Sequence, residues 1–306
     1  MKNLLFVATA VLFTLAFTSC QKDGQFVPKE RVSKIYTSNS NSLEKHLECV
    51  FTWDDNKLSK IDHLFWNGDL DWTETFSYDN KNRIERVEDL EYNEYVQFKY
   101  EGNKLKSLEY YSDGELWLTS IFTYHGNKIS KIDMVIKDSG ITMAKKTRFS
   151  LIPPKFKNKI SPKNDGSDFE VSIELTWDGS NVSYMKATSI VKDNDGEYNT
   201  NDFSHTFVEE CNYTYDNKLN PLKGLWNIVT MTDEESIMCL GIFSKNNITS
   251  ITYTDTVTYI VNGQTETETY TSVENYNIAY DGKFPIEIMT TSQGSSNSRT
   301  TYYEYE

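Results

Sequence analysis

Phe51-Thr52-Trp53-Asp54-Asp55-Asn56-Lys57-Leu58-Ser59-Lys60-Ile61 is the stretch that decides the fold. Phe51 and Trp53 flank one polar residue, so they share a face of a strand, where side chains alternate with a period of two. Asp54, Asp55 and Asn56 then supply turn chemistry, because short polar side chains hydrogen-bond nearby backbone and tolerate left-handed dihedrals. Leu58 and Ile61 return three positions apart, which breaks strict alternation and predicts a bulge just after the turn. The segment reads as strand, tight turn, bulged strand.

The pattern recurs through most of the chain. A second copy runs from Phe76-Ser77-Tyr78-Asp79 to Ile84 and Val87, and others centre on Tyr100, Tyr124, Trp177, Tyr215, Phe243 and Tyr280. A different turn class lies between copies: Asn67-Gly68, Asp113-Gly114, Asp195-Gly196 and Asn262-Gly263, the dipeptides that two-residue hairpins favour. Each repeat is therefore a pair of strands, and the chain is all-β, a long antiparallel meander of roughly 16 to 18 strands in hairpin repeats. The first four anchors, at 53, 78, 100 and 124, are 25, 22 and 24 residues apart, and the next step is 53. That gap contains Ile152-Pro153-Pro154, which excludes a central strand, so a long loop is expected at about 153–168. A second interruption, Leu219-Asn220-Pro221-Leu222-Lys223-Gly224, leaves room for a short helix.

A meander of this length must hide its edges, and curling or closing into a barrel-like soluble sheet does so. Closure at about 16 strands ordinarily leaves a lumen too wide for side chains to fill, so it implies a cavity, a flattened section or a plug. Lipid-facing strands are excluded in at least two places. Arg83-Ile84-Glu85-Arg86-Val87-Glu88-Asp89 carries charge on both faces, and Thr265-Glu266-Thr267-Glu268-Thr269 has no apolar face.

Ahead of the repeats, Met1-Lys2-Asn3 and the run Leu4 to Phe17 form the basic start and apolar core of a signal peptide over 1–19. The run is shorter than the roughly 20 residues a membrane-spanning helix needs. Ala16-Phe17-Thr18-Ser19-Cys20 resembles the lipobox of bacterial lipoproteins, with Phe17 where leucine is usual. The resemblance implies acylation of Cys20; a flexible tether over 20–30 then leads into the single β-repeat domain that the repeats mark over 31–306. Gln21-Lys22-Asp23 is similar to the acidic export tag of surface lipoproteins of the Bacteroidota, though with a single acidic residue. It implies the outer membrane, on the cell surface rather than the periplasmic face. Tyr78-Asp79-Asn80-Lys81-Asn82-Arg83-Ile84 and Tyr215-Asp216-Asn217-Lys218-Leu219 are similar to the tyrosine-aspartate repeats of RHS-type shell proteins. With the lipobox in front, residues 45–306 resemble a Bacteroidota lipoprotein family of unknown function with a porin-like fold. That resemblance implies a many-stranded soluble barrel and carries no catalytic residues with it.

Composition narrows the function further. With 31 basic and 45 acidic residues the chain has a formal net charge of −14, which repels phosphate backbones and excludes nucleic acid as a partner. Cys49, Cys211 and Cys239 each precede an anchor by four residues, an even offset that puts them on the anchors' face as small apolar residues. A pair of them can meet only on neighbouring strands. His46, His63, His125 and His205 are the only histidines, and no zinc-protease, nucleophile-elbow or phosphate-loop motif accompanies them. Asp193, Asp195 and Glu197 gather oxygen ligands in one loop, a weak calcium candidate whose glycine falls in the wrong place for an EF-hand. Trp66, Trp72 and Trp117 lie away from the anchor positions and are the aromatic residues expected to be exposed for ligand binding.

The expectation is thus a non-enzymatic envelope protein without cofactor, held to the outer membrane by lipid alone and binding a glycan, peptide or protein. The alternatives are a structural envelope component without small ligand, and a hydrolase whose site the repeats conceal. Replacing Cys20 by alanine should release the protein from membranes in folded, soluble form. Fractionation of cells carrying Cys20→Ala checks this, and a variant that stays with the membrane pellet would overturn both the lipid and the soluble-barrel expectations.

Overall fold

The computed structural model describes residues 25–40, 44–136, 168–192, 204–225, 240–261 and 264–306. Sixteen strands run through these residues in chain order. The first eight are β1 (Val32–Asn39), β2 (His46–Asp54), β3 (Lys57–Leu64), β4 (Leu70–Tyr78), β5 (Ile84–Asp89), β6 (Glu94–Glu101), β7 (Lys104–Ser112) and β8 (Glu115–His125). The others are β9 (Lys128–Ile136), β10 (Asp168–Asp178), β11 (Asn181–Lys192), β12 (Ser204–Leu219), β13 (Asn246–Val261), β14 (Gln264–Asp281), β15 (Phe284–Ser292) and β16 (Ser298–Tyr305). Each pairs antiparallel with the next, and β16 pairs with β1, so the sheet is a closed barrel. The expected loop at 153–168 lies outside the described residues except at Asp168, where β10 begins.

Up-and-down order sorts the two turn classes to opposite ends. Every turn that follows an aromatic-Asp copy lies at one end, with Arg31 and Glu306, and this is the anchor end. The turns at 65–69, 90–93, 113–114 and 293–297 lie at the other, the far rim. The bulge stands where the spacing places it. Thr52 pairs with Lys60 but Trp53 with Leu58, leaving Ser59 extra, and the same slip occurs at Tyr78, Tyr100, Tyr124, Trp177, Tyr215 and Tyr280.

The bulge explains the anchors. An extra residue interrupts the ladder and releases the carbonyl beside it. The anchor ring of the following repeat donates to that carbonyl. Trp53 Nε1 donates to Val32 O (2.9 Å), Tyr78 Oη to Leu58 O (2.7 Å), Tyr100 to Ile84 O (2.6 Å) and Tyr124 to Leu105 O (2.9 Å). Trp177 donates to Ile129 O (2.7 Å), Tyr215 to Val182 O (2.7 Å) and Tyr305 to Pro285 O (2.6 Å). The basic residue of each turn reaches the same way. Arg83 lies 3.8 Å from the centroid of Tyr100 and donates to Gly102 O, and Lys104 lies 4.8 Å from Tyr124 and donates to Gly126 O. The motif is an interlock between neighbouring repeats.

Two features depart from the sequence reading. Phe243 is not a strand anchor, because Leu240–Phe243 forms a 3-10 turn. Tyr215 pairs instead with Ile248, so the copies assigned to Tyr215 and Phe243 are two halves of one repeat, separated by residues 220–245. The short helical element thus falls at Leu240–Phe243 rather than at 219–224, where the chain makes a turn. Residues 25 and 26, expected within a flexible segment, lie against the barrel instead. Phe26 is buried and stacks on Trp53, ring centroids 5.7 Å apart, and Gln25 Nε2 donates to Lys81 O (3.1 Å).

A single closed sheet can bury side chains only on its inner face, so the buried half of each alternation points inward. Leu58, Ile61, Ile84, Leu105 and Val182, near the anchor end, have no exposed surface and join one contiguous apolar cluster. The outer face is polar. Lys60 pairs with Asp62 at 2.6 Å and Lys131 with Asp133 at 2.8 Å, and threonines of β13 and β14 face each other in hydroxyl pairs at Thr256–Thr269 and Thr258–Thr267.

Closure reuses the repeat. Tyr305 pairs with Val32 as Trp53 pairs with Leu58, Ser33 is the bulged residue, and Glu306 N donates to Arg31 O (2.9 Å). The chain ends together make the eighth hairpin without its turn. Tyr78→Phe should lower stability by about 1–2 kcal/mol, the cost of a lost bond plus an orphaned carbonyl, read from the denaturant midpoint. A circular permutant that joins Glu306 to Arg31 through an Asp-Gly-containing turn and opens between Gly126 and Asn127 should fold to the same strand content by circular dichroism. Failure to fold would show that the termini are not equivalent to a repeat turn.

Candidate functional site

Moving up the inner wall from the anchor end, the side chains change character. Two residues before each anchor stand Phe51, Phe76, Phe98 and Phe122, all buried. Four before, the series reads Cys49, Glu74, Val96, Ser120, Ile173 and Cys211, also buried. Opposite Cys49 and Glu74 stand His63 and Asp89, and Ser112, Ser189, Glu209 and Asp255 lie further toward the far rim, all buried. The upper interior is therefore polar where the lower is apolar.

Its best-defined contacts join β2, β3 and β4. The register sets Cys49 opposite His63 and His63 opposite Trp72. Cys49 Sγ lies 3.4 Å from His63 Nδ1, His63 Nε2 lies 3.6 Å from Glu74 Oε2, and the imidazole stacks on Trp72 with centroids 4.0 Å apart and planes 6° from parallel. Burial pushes the Cys49 thiol well up, and the nearby carboxylates of Glu48 and Glu74 push it further. On the opposite side of the strand order, burial and then Glu209 raise the Cys211 thiol. Cys49 and Cys211 are free thiols on strands that are not neighbours, and Cys239 lies outside the described residues.

Carboxylates also meet across strands, Glu74 opposite Asp89 and Glu209 opposite Asp255. All four are buried. Tyr253 (3.0 Å) and Tyr276 (2.7 Å) both donate to Glu274 Oε2, and Ser292 donates to its Oε1 (3.3 Å). Among the described residues no three His, Cys, Asp or Glu side chains converge on a metal position. Asp193, Asp195 and Glu197 lie outside the described residues.

The three tryptophans divide. Trp66 is 56% exposed at the far rim, with His46 against its ring edge at 3.8 Å. Trp72 is 8% exposed and belongs to the core, a correction to its expected role as a surface aromatic. It lies six residues before Tyr78, so strand alternation turns it inward. The Trp117 side chain lies outside the described set. Around Trp66 the rim exposes residues that sequence reasoning missed: Phe65 and Leu70 on the same hairpin, and Leu90 and Tyr92 on the next hairpin at this end. Apolar residues in turns were the available signal, since a turn has no inner face to hide them.

No family model matches the chain. No curated protein matches it either. Among solved structures, a porin-like protein from Bacteroides vulgatus aligns at 12% identity and a TM-score of 0.49, covering 91% of this chain and 99% of that one. A porin-like protein from Bacteroides uniformis aligns at 10% identity and a TM-score of 0.26, covering 93% and 100%. The barrel stands on its own strand order and register.

Proposed function

We propose that the chain is a non-enzymatic, lipid-anchored protein of the outer membrane, facing outward, that presents the far rim of its barrel to a protein or peptide partner. The observation that carries this reading is the exposed cluster of Phe65, Trp66, Leu70, Leu90 and Tyr92 on two successive hairpins at the end opposite the chain termini. Exposed apolar residues gathered at one end of a fold are the signature of an interaction surface. Asp69, Asp71, Glu91 and Glu94 on the same two hairpins favour a basic partner.

Orientation supports the same end. Gln25 and Phe26 fix the start of the described chain to the anchor end, and Cys20 lies five Cα–Cα steps before Gln25. Fully extended they span at most about 18 Å, so an acylated Cys20 would keep the anchor end beside the membrane and the rim away from it.

Trp66→Ala and Leu90→Ser should each weaken partner binding at least tenfold while changing stability by no more than about 0.5 kcal/mol. Binding of envelope and extracellular proteins to immobilised wild type and variants, with a glycan array in parallel, tests this. A glycan ligand lost in the variants would keep the rim and change the partner. Binding unaffected in both variants, or none by any form, would favour a purely structural envelope role.

A further inference from the structure

Closure removes sheet edges only over the height that neighbouring strands share, and β14 is taller than its neighbour on one side. Its ladder with β13 continues without a slip from Asn275, opposite Ser250, up to Gln264, opposite Val261, whereas its ladder with β15 stops at Glu274, opposite Ser292. Gln293 N still donates to Val273 O (2.8 Å), and beyond it residues 264–272 meet a strand on the β13 side alone among the described residues. Every residue of 264–271 except Glu268 is exposed, so the stretch is solvated on both faces. Strand geometry says which backbone groups face the gap, because successive residues turn N–H and C=O to opposite sides. Val273 O and Asn275 O accept from the β15 side, from Gln293 N and the Thr291 hydroxyl, while Glu274 O accepts from Ser250 of β13. Thr265, Thr267, Thr269 and Thr271 share the parity of Val273, so their N–H and C=O groups point into the gap as an evenly spaced row of donors and acceptors.

We propose that this edge takes up an extended segment of a partner protein as an added strand, one that carries lysine or arginine at alternate positions. In such additions main-chain pairing supplies affinity and alternate side chains supply specificity. Glu268 stands opposite buried Val257 and so lies on the inner face with Glu266, whereas Thr267 and Thr269 pair their hydroxyls with Thr258 and Thr256 on the outer face. An incoming strand sets one alternate row beside the two glutamates, where cations are favoured and acids repelled. Its other row extends the cross-strand line of threonines, which suits threonine or valine. The same acids oppose a second copy of this chain, since antiparallel pairing of two edges about Thr267 would set Glu266 against Glu268 twice. An edge so charged rejects its own kind while accepting a basic strand. The open stretch, about 25 to 30 Å long, accommodates a strand of ordinary length. The threonine–glutamate run that no lipid-facing strand could contain thereby acquires a role.

A capped peptide of alternating threonine and lysine, about eight residues long, is the probe, with the Cys20→Ala chain as receptor. In the free chain, hydrogen exchange followed by NMR should be fast at the amides of Thr265, Thr267, Thr269 and Thr271 and slow at those of Glu266, Glu268 and Tyr270, which face β13. Bound peptide should slow the threonine amides at least tenfold. Thr267→Pro removes a donor on the open side only, as edge prolines do, and should weaken the peptide at least tenfold. Glu266→Lys with Glu268→Lys should weaken it as much and transfer the preference to a threonine–glutamate peptide. Two forms of the probe, N-methylated on one or the other set of alternate residues, leave the protein untouched and the charge unchanged. One of them should bind and the other should not, because only one set of amides faces β14. Equal binding by both would mean attraction by charge alone and would overturn the proposal. So would threonine amides that are already slow in the free chain, slowing of those amides by self-association without peptide, or no binding of the probe. None of these outcomes bears on the apolar rim, which belongs to the β3–β4 and β5–β6 hairpins.

Discussion

The hydrogen bond from seven of the eight anchor rings to the carbonyl that a neighbouring bulge releases is what this barrel depends on. A buried carbonyl without a partner costs about 1–3 kcal/mol, so a bulge beside fully buried Leu58 or Ile84 is tolerable only if another donor arrives. The donor comes from the next repeat, as Tyr78 for Leu58 and Tyr100 for Ile84. Bulge and anchor are therefore one device shared by two repeats. The basic turn residues strengthen it, since Lys57 over Tyr78 and Arg83 over Tyr100 each add about 0.5–1 kcal/mol of cation–π attraction. A linear array built this way would end in an unsatisfied carbonyl at one terminus and an idle ring at the other. Closing the circle through Tyr305 and Trp53 removes both.

The same device makes the two halves of the barrel unequal. Near the anchor end each inner position touches the interlock, and the residues there are Phe, Leu, Ile and Val in copy after copy. Four residues above the anchor that constraint has lapsed, and the position holds cysteine, glutamate, valine, serine and isoleucine in turn. Burying Glu74 beside Asp89, or Glu209 beside Asp255, costs stability that only a well-packed remainder can supply. The repetitive half supplies it, and the variable half and its rim are free to carry chemistry. At Tyr215 an insertion interrupts the regularity, and the interlock is rebuilt locally. There Tyr280 turns to Asp216 and Asn247, and Tyr215 also accepts from Ser244.

What could be read from the sequence was what is local. The turn dipeptides, the alternation through Phe51 and Trp53 and the three-residue return to Ile61 each lie within a few residues, and hairpins, bulges and strand count followed from them. Phe243 misled because residues 243–251 do copy the motif, but the strand partner of their second half had already been supplied by Tyr215. Trp72 was misplaced by composition, which treats a non-anchor tryptophan as available, although its even offset from Tyr78 turns it inward. The approach of Cys49, His63 and Glu74 was out of reach altogether. Alternation is lost across a turn and again across a bulge, so the parity of His63 relative to Cys49 is known only once the register is.

The wall of the barrel also differs from one that faces lipid. A membrane-spanning barrel turns apolar side chains outward and polar ones inward, whereas here the alternation runs the other way, with Ile61 and Leu108 inside and Lys60, Asp62, Arg86 and Glu88 outside. Each charge on a lipid-facing wall would cost about 2–4 kcal/mol near mid-bilayer, and the ion pairs and threonine rows recur around the circumference. Closure thus solves the edge problem common to all barrels while reversing the solvent on each face. The chain enters the barrel at the interlocked end, beside Trp53 and Lys81, so any tether pulls on the most cross-braced part of the fold. The far rim is left at the other end.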